Sequence, residues 1–274
     1  MINIIFNLIR PLNVSIGICS VLIIFNSFSL NKTLFLTLLV VGCFIASSNI
    51  INDLFDQKTD KINKRKKIHS EQIIYVYTYL ILLLMIGILA SLQLNINSQI
   101  ISLFIVLPLI FLYTPIFKGI PFLGNFIVSL LVALVFVYAE VSIFDNVKIS
   151  ILPFFLSLFL MLIREIIKDI EDVKGDKISQ IKTMPVVMGR KFSIRVSILL
   201  MLSFNILLIS LYFSHFNNYK YLLAINLGVI LPNSYCVFYL VKNQIKSNFR
   251  HVQKIQKTTI IMGLITLIII RNNL

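Results

Sequence analysis

Tryptophan is absent from the 274 residues, and cysteine, histidine and acidic side chains are scarce. The three cysteines (Cys19, Cys43 and Cys236) are scattered through apolar segments without metal-ligand spacing, and we interpret them as small buried residues. The three histidines lie far apart in the sequence, which argues against a zinc or copper site. No cationic leader precedes the first apolar run, so we expect no cleavable signal peptide.

Apolar residues, in contrast, make up 58% of the chain, more than a soluble domain of this length needs. A membrane-spanning helix requires roughly 20 predominantly apolar residues, and a backbone that crosses hydrocarbon must satisfy its own hydrogen bonds. The sequence therefore predicts an all-α, polytopic membrane protein, a bundle of about nine transmembrane helices in a single domain over residues 1–274. The nine segments that qualify are 12–30, 33–52, 73–92, 98–116, 121–142, 149–168, 194–213, 219–241 and 255–270.

Basic residues are distributed unequally between the loops that these nine spans would create. With the N-terminus on the cytoplasmic side, 21 of the 25 Lys and Arg residues fall on that side. The four on the opposite side are Lys32, Lys148, Lys220 and Arg271. The positive-inside rule then predicts a cytoplasmic N-terminus and an opposite C-terminus. We expect the membrane to be the plasma (inner) membrane of a prokaryote. The formal charge of +14 lies mostly in these loops, beside anionic lipid headgroups, and we expect no nucleic-acid partner.

Eight of the eleven acidic residues lie in two short stretches, each at the end of a long apolar segment. Both stretches have aspartates at offsets 0, 3 and 7, which fall on one face of a helix. The first row is Asp53, Asp56 and Asp60, and the second row is Asp169, Asp172 and Asp176. A solvated loop or an ion-pair network with nearby lysines would explain one row as well as a binding site would. Repetition of the row on the same predicted side of the membrane favours function, because carboxylates near membrane depth are costly.

Carboxylates without accompanying His or Cys favour Mg²⁺, which prefers hard oxygen ligands and shares them with substrate phosphates. Cations near the two rows would share the charge of a diphosphate. These cations are Arg10, Lys118, Arg164, Lys168 and Lys182. The apolar, Phe-rich helices would house a lipid tail, exclude water and stabilise an allylic cation. We therefore expect a Mg²⁺-bound diphosphate with a lipid chain.

At these residues the sequence resembles the UbiA superfamily of intramembrane prenyltransferases. Asn52-Asp53-x-x-Asp56-x-x-x-Asp60, followed by Lys61-Ile62-Asn63-Lys64, is similar to the first aspartate motif of the family. Asp169-x-x-Asp172-x-x-x-Asp176, followed by Lys182-Thr183-Met184-Pro185, is similar to the second. Arg10-Pro11-Leu12-Asn13 resembles the N-terminal element, and Tyr113 through Lys118 with Gly124-Asn125 resembles a segment on the fourth and fifth helices. The resemblance covers most of the chain in the expected order.

The resemblance implies a nine-helix bundle and Mg²⁺-dependent transfer of a prenyl group from its diphosphate. The six aspartates would bind Mg²⁺ and diphosphate. The substrate contacts implied are Asn49, Asn52, Arg10, Lys118, Lys168 and Tyr113. The sequence departs from the family pattern where Arg65 replaces a proline, where Lys67 replaces an arginine, and in the longer spacing from Tyr113 to Lys118.

The acceptor stays open at this point. Arg164-Glu165-Ile-Ile-Lys168-Asp169 resembles the branch that alkylates geranylgeranylglycerol phosphate, for which the run from Lys64 to Lys67 would serve the phosphate. Quinone precursors such as hydroxybenzoate or dihydroxynaphthoate are the alternative acceptors. A transporter or ion-binding carrier, and a terpene-type cyclase, are the other classes considered. The partners expected are a prenyl diphosphate, a lipophilic acceptor and the lipid bilayer, with no obligate protein partner.

Overall fold

The computed structural model describes residues 2–25, 31–57, 72–242 and 246–271, and these residues form helices and no β-strand. The predicted all-α class is therefore confirmed. The helices are α1 (Ile2–Ile9), α2 (Pro11–Phe25), α3 (Lys32–Phe55), α4 (Ile73–Ser91), α5 (Ile96–Tyr113), α6 (Leu123–Phe144), α7 (Ile151–Ile178), α8 (Met184–Val187), α9 (Arg190–Phe216), α10 (Tyr219–Lys242) and α11 (Lys246–Ile270). Three of them contain a π-helical stretch: Ile100–Val106 in α5, Tyr212–Phe216 in α9 and Asn226–Ile230 in α10.

Each of the nine predicted apolar segments overlaps one of these helices, and residues 26–30 of the segment 12–30 lie outside the described residues. The helices α1 and α8 were not predicted. Seven helices in the described ranges are long and apolar enough to cross a membrane by themselves. They are α3, α4, α5, α6, α9, α10 and α11. Of the other two, α2 has 15 residues, and α7 has 28 residues but carries Arg164, Glu165 and Lys168 in its apolar part. The chain is an integral, multi-pass membrane protein, and the count of nine spans is approximate.

The helices group into two compact units. Unit 1 comprises Met1–Gly119 and Leu131–Phe154, and unit 2 comprises Ile120–Leu130 and Phe155–Leu274. In unit 1, α3 packs against α2 and α4. The contact between α3 and α4 is close at Gly87, where an added Cβ would lie 2.6 Å from Cε1 of the Phe44 ring. Only a residue without a side chain permits this approach of two membrane helices.

A buried carboxylate fixes the turn between α6 and α7 in unit 1. Glu140, 1% exposed, accepts hydrogen bonds from the backbone N–H groups of Lys148 (2.9 Å), Ile149 (2.9 Å) and Ser150 (2.8 Å). The Ser150 hydroxyl donates to the same carboxylate at 2.6 Å. These donors immediately precede or begin α7, where backbone N–H groups have no partner within the helix. The charge of Glu140 therefore serves as a cap for α7.

Unit 2 contains a chain of buried amides that joins three membrane helices. Gln256 of α11 donates to Asn233 of α10 at 2.9 Å, and Asn233 donates to Asn205 of α9 at 3.2 Å. Asn205 in turn donates to Ser234 at 3.3 Å. Asn233 and Gln256 are fully buried. Hydrogen bonds of this kind hold membrane helices together where no hydrophobic driving force between helices is available.

Candidate active site

The first aspartate row lies at the end of α3, in unit 1. Asn31 starts this helix by accepting a hydrogen bond from the N–H of Leu34 at 2.8 Å. Asp53 lies in its last turn, and Asp56 follows the last helical residue and donates its backbone N–H to the Asn52 carbonyl at 2.9 Å. Asp60, predicted as the third member of the row, lies outside the described residues, as do the lysines that follow it. The structure therefore describes two of the three predicted carboxylates of this row.

Asp53 is paired with Arg10, which lies at the junction of α1 and α2. The guanidinium Nη2 of Arg10 donates to Oδ1 of Asp53, and the Asp53 side chain is 16% exposed. The backbone of Arg10 has a φ of +54°, in the left-handed region that non-glycine residues seldom adopt. Such strain persists only where surrounding contacts enforce it, and it is frequent at functional sites. The left-handed backbone of Arg10 thus makes the turn between α1 and α2, and at this turn the Arg10 guanidinium contacts Asp53.

The contacts that hold this junction come from Asn49. The Asn49 side chain donates to the Ile9 carbonyl at 2.8 Å and accepts from Asn13 Nδ2 at 3.3 Å. Ile9 and Asn13 flank Arg10 on either side. Asn49 was predicted as a substrate contact, and in this structure its amide fixes the backbone around Arg10.

Asp56 is paired with Lys118, which lies in the 3₁₀ turn Phe117–Gly119 after α5. The Lys118 ammonium donates to both carboxylate oxygens of Asp56. The two side chains are 15% and 12% exposed. Tyr113, predicted in the same segment, is the last residue of α5. In unit 1, the predicted cations Arg10 and Lys118 therefore both pair with described carboxylates of the first row.

The second aspartate row lies on α7, in unit 2. This helix continues through Ile178, so all three aspartates occupy its last turns on one face, as predicted. Asp172 and Asp176 are buried, at 7% and 3% exposure. Asn125 Nδ2 donates to Asp169 Oδ2 at 2.7 Å, and Thr183 Oγ1 donates to Asp176 Oδ2 at 3.2 Å. Asp169, the first aspartate of the row, directly follows the predicted span 149–168 and is partly exposed.

The cations predicted on α7 pair with a carboxylate that does not belong to either aspartate row. Arg164 and Lys168 both pair with Glu165, which is 4% exposed, and the Lys168 contact is 3.2 Å. Glu171 pairs with Arg250 at 3.3 Å. Lys168 therefore lies immediately before the second row, and Glu165, about one turn earlier on α7, holds its ammonium group.

The residues present suit a hard cation held together with a phosphate. Within the described ranges, no group of three or more His, Cys, Asp and Glu side chains could hold a metal ion. Mg²⁺ does not need such a cage, since it takes one or two carboxylates and completes its shell with waters and substrate phosphates. Oxygen donors without nitrogen or sulfur match that preference.

A sequence comparison decides the family. The model of the UbiA prenyltransferase family matches residues 14–255. The chain belongs to this family. It is therefore a membrane prenyltransferase, as the sequence predicted.

Two relatives of this UbiA protein match 94% of its length. Digeranylgeranylglyceryl phosphate synthase of Methanobrevibacter smithii is 31% identical over 270 residues, which are 94% of each chain. A solved structure concerned with digeranylgeranylglyceryl phosphate synthase in membranes has 29% identity and a TM-score of 0.75, covering 100% of this chain and 99% of its own. A UbiA homolog from Archaeoglobus fulgidus bound to GPP and Mg²⁺ has 18% identity and a TM-score of 0.65, covering 96% and 99%. At that identity the last likeness shows the UbiA fold alone.

Three polar residues beside the carboxylates of this UbiA protein had been given no role from the sequence. They are Asn125, Glu165 and Thr183. Asn125 and Thr183 each had one usable signal, because both lie in segments that resemble the family, Gly124-Asn125 and Lys182-Thr183-Met184-Pro185. The resemblance did not indicate that either side chain would donate to an aspartate of the second row.

Proposed function

We propose that this protein transfers a prenyl group from a prenyl diphosphate to a lipid acceptor that carries a glycerol phosphate, in a Mg²⁺-dependent reaction. Membership of a prenyltransferase family supports the reaction type. The acceptor assignment rests on one observation, the end-to-end likeness to chains named digeranylgeranylglyceryl phosphate synthase. The name specifies a glyceryl phosphate that carries two geranylgeranyl groups, and we assign the addition of the second group to this protein.

The aspartates of both rows are proposed as the ligands of Mg²⁺, with Asp60 completing the first row. A bound Mg²⁺ supplies positive charge that stabilises the departing diphosphate. In the structure Arg10 and Lys118 form ion pairs with Asp53 and Asp56 of the first row. We assign both cations to the diphosphate oxygens once the metal takes those carboxylates, and Lys168 and Tyr113 to the same substrate. Asn52 and Asn49 orient this network, Asn49 through the backbone of Arg10.

The bond changes are those of an alkylation. The bond between C1 of the prenyl chain and the diphosphate oxygen breaks, and the electron pair leaves with the diphosphate. The acceptor hydroxyl forms a new C–O bond at C1 and releases its proton to solvent. Apolar helices that exclude water protect the allylic cation from hydrolysis, which is the reason for performing this chemistry inside a membrane protein.

We also propose that residues 1–274 act as one prenyltransferase domain, since the family match includes parts of both units. The distribution of Lys and Arg supports a cytoplasmic N-terminus and cytoplasmic aspartate rows. That orientation is proposed for the plasma membrane of a prokaryote, where Mg²⁺ and the polar diphosphate group would reach the aspartates from the cytoplasm.

The test uses purified protein in detergent with geranylgeranyl diphosphate, Mg²⁺ and two competing acceptors, geranylgeranylglyceryl phosphate and hydroxybenzoate. Mass spectrometry follows the prenylated products, and EDTA serves as the control. A Mg²⁺-dependent adduct of the glyceryl phosphate is expected. An adduct of hydroxybenzoate alone would move the protein to the aromatic branch. Turnover that persists in EDTA would overturn the metal assignment.

A further inference from the structure

Asp169 differs from the carboxylates of the first row in the kind of hydrogen-bond donor that its side chain accepts from. Its hydrogen bond comes from a neutral amide, Asn125 Nδ2, at 2.7 Å. Asp53 and Asp56 are paired with a guanidinium and an ammonium. A cation cancels the charge of a carboxylate, whereas a neutral donor fixes one oxygen and leaves the negative charge in place. The Asp169 carboxylate is therefore oriented without being neutralised by the group that orients it.

Asn125 is itself held in a fixed position. It is 6% exposed and is the third residue of α6. The helix starts from Phe122, whose φ of +66° is unusual for a residue with a side chain. Backbone hydrogen bonds hold this start, from the N–H of Leu123 to the Pro121 carbonyl at 2.8 Å and from the N–H of Phe126 to the Phe122 carbonyl at 2.9 Å.

The start of α6 is thus strained and well bonded at the point where Asn125 presents its amide to Asp169. Strain of this kind costs about 1–3 kcal/mol and persists where neighbouring structure enforces it. An asparagine serves better than a longer amide here, because its short side chain has few rotamers and gives a defined direction to Nδ2.

We propose that Asn125 is a positioning residue for metal binding: it holds Oδ2 of Asp169 so that Oδ1 is presented to Mg²⁺. This inference rests on the proposed function, in which Asp169 is a metal ligand. Partners that orient a metal-binding carboxylate typically change metal affinity or activity by about 10–100-fold when they are removed. Thr183, which donates to Asp176 at 3.2 Å, is placed to act in the same way on the last aspartate of the row.

Metal binding can be measured without turnover. Mn²⁺, a spectroscopic substitute for Mg²⁺, would be titrated into the purified protein in detergent, without substrates, and followed by electron paramagnetic resonance. Asp169→Asn removes the ligand, and Asn125→Leu removes the donor while approximately keeping the volume. Asn125→Ala is a second variant that avoids crowding at the start of α6. Asn205→Leu is the matched control, because it removes a buried amide of unit 2 that is bonded to Ser234 and Asn233 and to no carboxylate.

The expected result is a Kd for Mn²⁺ that rises about 10–100-fold in Asn125→Leu and Asn125→Ala, with an altered spectrum of the bound ion. Asp169→Asn should weaken binding at least as much, and Asn205→Leu should keep the wild-type Kd. Wild-type affinity and spectrum in both Asn125 variants would overturn the positioning role and leave the proposed function intact. A Kd for Mn²⁺ in Asp169→Asn equal to that of the wild type would show that Asp169 is not a ligand. That result would also overturn the positioning role of Asn125. Absence of Mn²⁺ binding to the wild type, together with turnover in EDTA, would instead refute the proposed function.

Thr183 offers a conservative pair for the same measurement. Thr183→Val removes the hydroxyl at nearly constant volume, and Thr183→Ser keeps it. Weaker Mn²⁺ binding in the valine variant with recovery in the serine variant would show that the hydrogen bond matters and not the packing. Equal binding in both variants would remove Thr183 from the proposal.

Discussion

Lys118 Nζ donates to both carboxylate oxygens of Asp56, although 62 residues of sequence separate the two. Both side chains are largely buried, so each depends on the other for the compensation of its charge. The proposed reaction brings a divalent cation and a diphosphate to this pair. Asp56 would then hold the metal in place of Lys118, and Lys118 would hold the diphosphate in place of Asp56. Each charge of the pair would thus keep a partner of opposite charge when the substrates bind.

This exchange of partners predicts different effects of Lys118→Met on the KM for prenyl diphosphate and on the affinity for Mg²⁺. Loss of the ammonium removes a charge-assisted contact with the diphosphate, and the KM for prenyl diphosphate should rise about 10–100-fold. Loss of the same ammonium removes a competitor for Asp56, so Mg²⁺ should bind at least as tightly as in the wild type. Steady-state kinetics and calorimetric titration of Mg²⁺ measure the two effects separately.

Lys220→Met is the matched control for this variant, because Lys220 is an exposed lysine at the start of α10. It should leave the KM and the Mg²⁺ affinity unchanged. A KM in Lys118→Met equal to that of Lys220→Met would show that Lys118 is a structural partner of Asp56 and does not contact the donor.

Arg10→Gly should separate the role of the guanidinium from that of the backbone. The φ of +54° at Arg10 suits glycine, so this substitution relieves backbone strain while removing the side chain. We expect kcat/KM to fall by about one to two orders of magnitude, since a contact with a charged group is worth about 1.5–3 kcal/mol. The thermal unfolding temperature in detergent is expected to change little.

Arg10→Ala serves as the comparison, because it removes the same guanidinium but keeps a Cβ in the left-handed region. It should unfold at a lower temperature than Arg10→Gly and lose a similar amount of activity. Wild-type kcat/KM in Arg10→Gly would exclude Arg10 from the reaction.

Replacement of a proposed metal ligand should abolish turnover in a folded protein. Asp53→Ala and Asp172→Ala are each expected to retain less than about 1% of wild-type activity, since metal-assisted charge stabilisation contributes several kcal/mol. Excess EDTA should have the same effect on the wild type, and added Mg²⁺ should reverse it. Product formation by mass spectrometry and monodispersity in detergent are the measurements. Full activity in either variant would exclude that aspartate from the ligands.

Glu140→Gln should affect stability and leave catalysis intact. Glutamine places an NH₂ group among donors from Lys148, Ile149 and Ser150, so at least one buried donor loses its acceptor. The expected loss is about 2 kcal/mol in the free energy of unfolding, measured in mixed micelles with a denaturing detergent. Activity below the unfolding transition should equal that of the wild type.

Asp145→Asn is the control for the Glu140 variant. Asp145 is exposed and accepts one hydrogen bond from Asn97 at 2.8 Å, and asparagine can also accept it. Its φ of +53° is tolerated by asparagine. The stability of this variant should therefore remain close to that of the wild type. Equal stability of the Glu140 and Asp145 variants would contradict the capping role.

The fold class was predictable because hydropathy is a local property of the sequence. Each apolar segment contains enough residues to determine a helix, and the aspartate offsets place their side chains on one face wherever a helix exists. The two aspartate rows and the cations near them were predictable for the same reason, since spacing along the chain is enough to recognise them. The extent of α7 was less predictable, because its charged second half, from Arg164 to Ile178, has no apolar signal and still remains helical.

The sequence could not predict which carboxylate each cation pairs with, because such pairing depends on contacts between distant parts of the chain. Arg10 and Lys118 were both expected to act as cations near a diphosphate, and the sequence did not indicate which aspartate each would meet. Lys168 was expected in the same role, and the structure pairs it with Glu165. The left-handed backbone of Arg10 has no composition signal, because glycine is the residue that usually marks such a position.

The cap formed by Glu140 has a consequence for biosynthesis. Its donors lie eight to ten residues further along the chain, so the carboxylate lacks these donors until Ser150 has been synthesised. An unpaired carboxylate near the end of a membrane helix is costly in lipid. We therefore expect α6 to leave the insertion machinery together with the turn that follows it, as a hairpin with the beginning of α7. One buried side chain would thereby couple the insertion of two consecutive membrane helices.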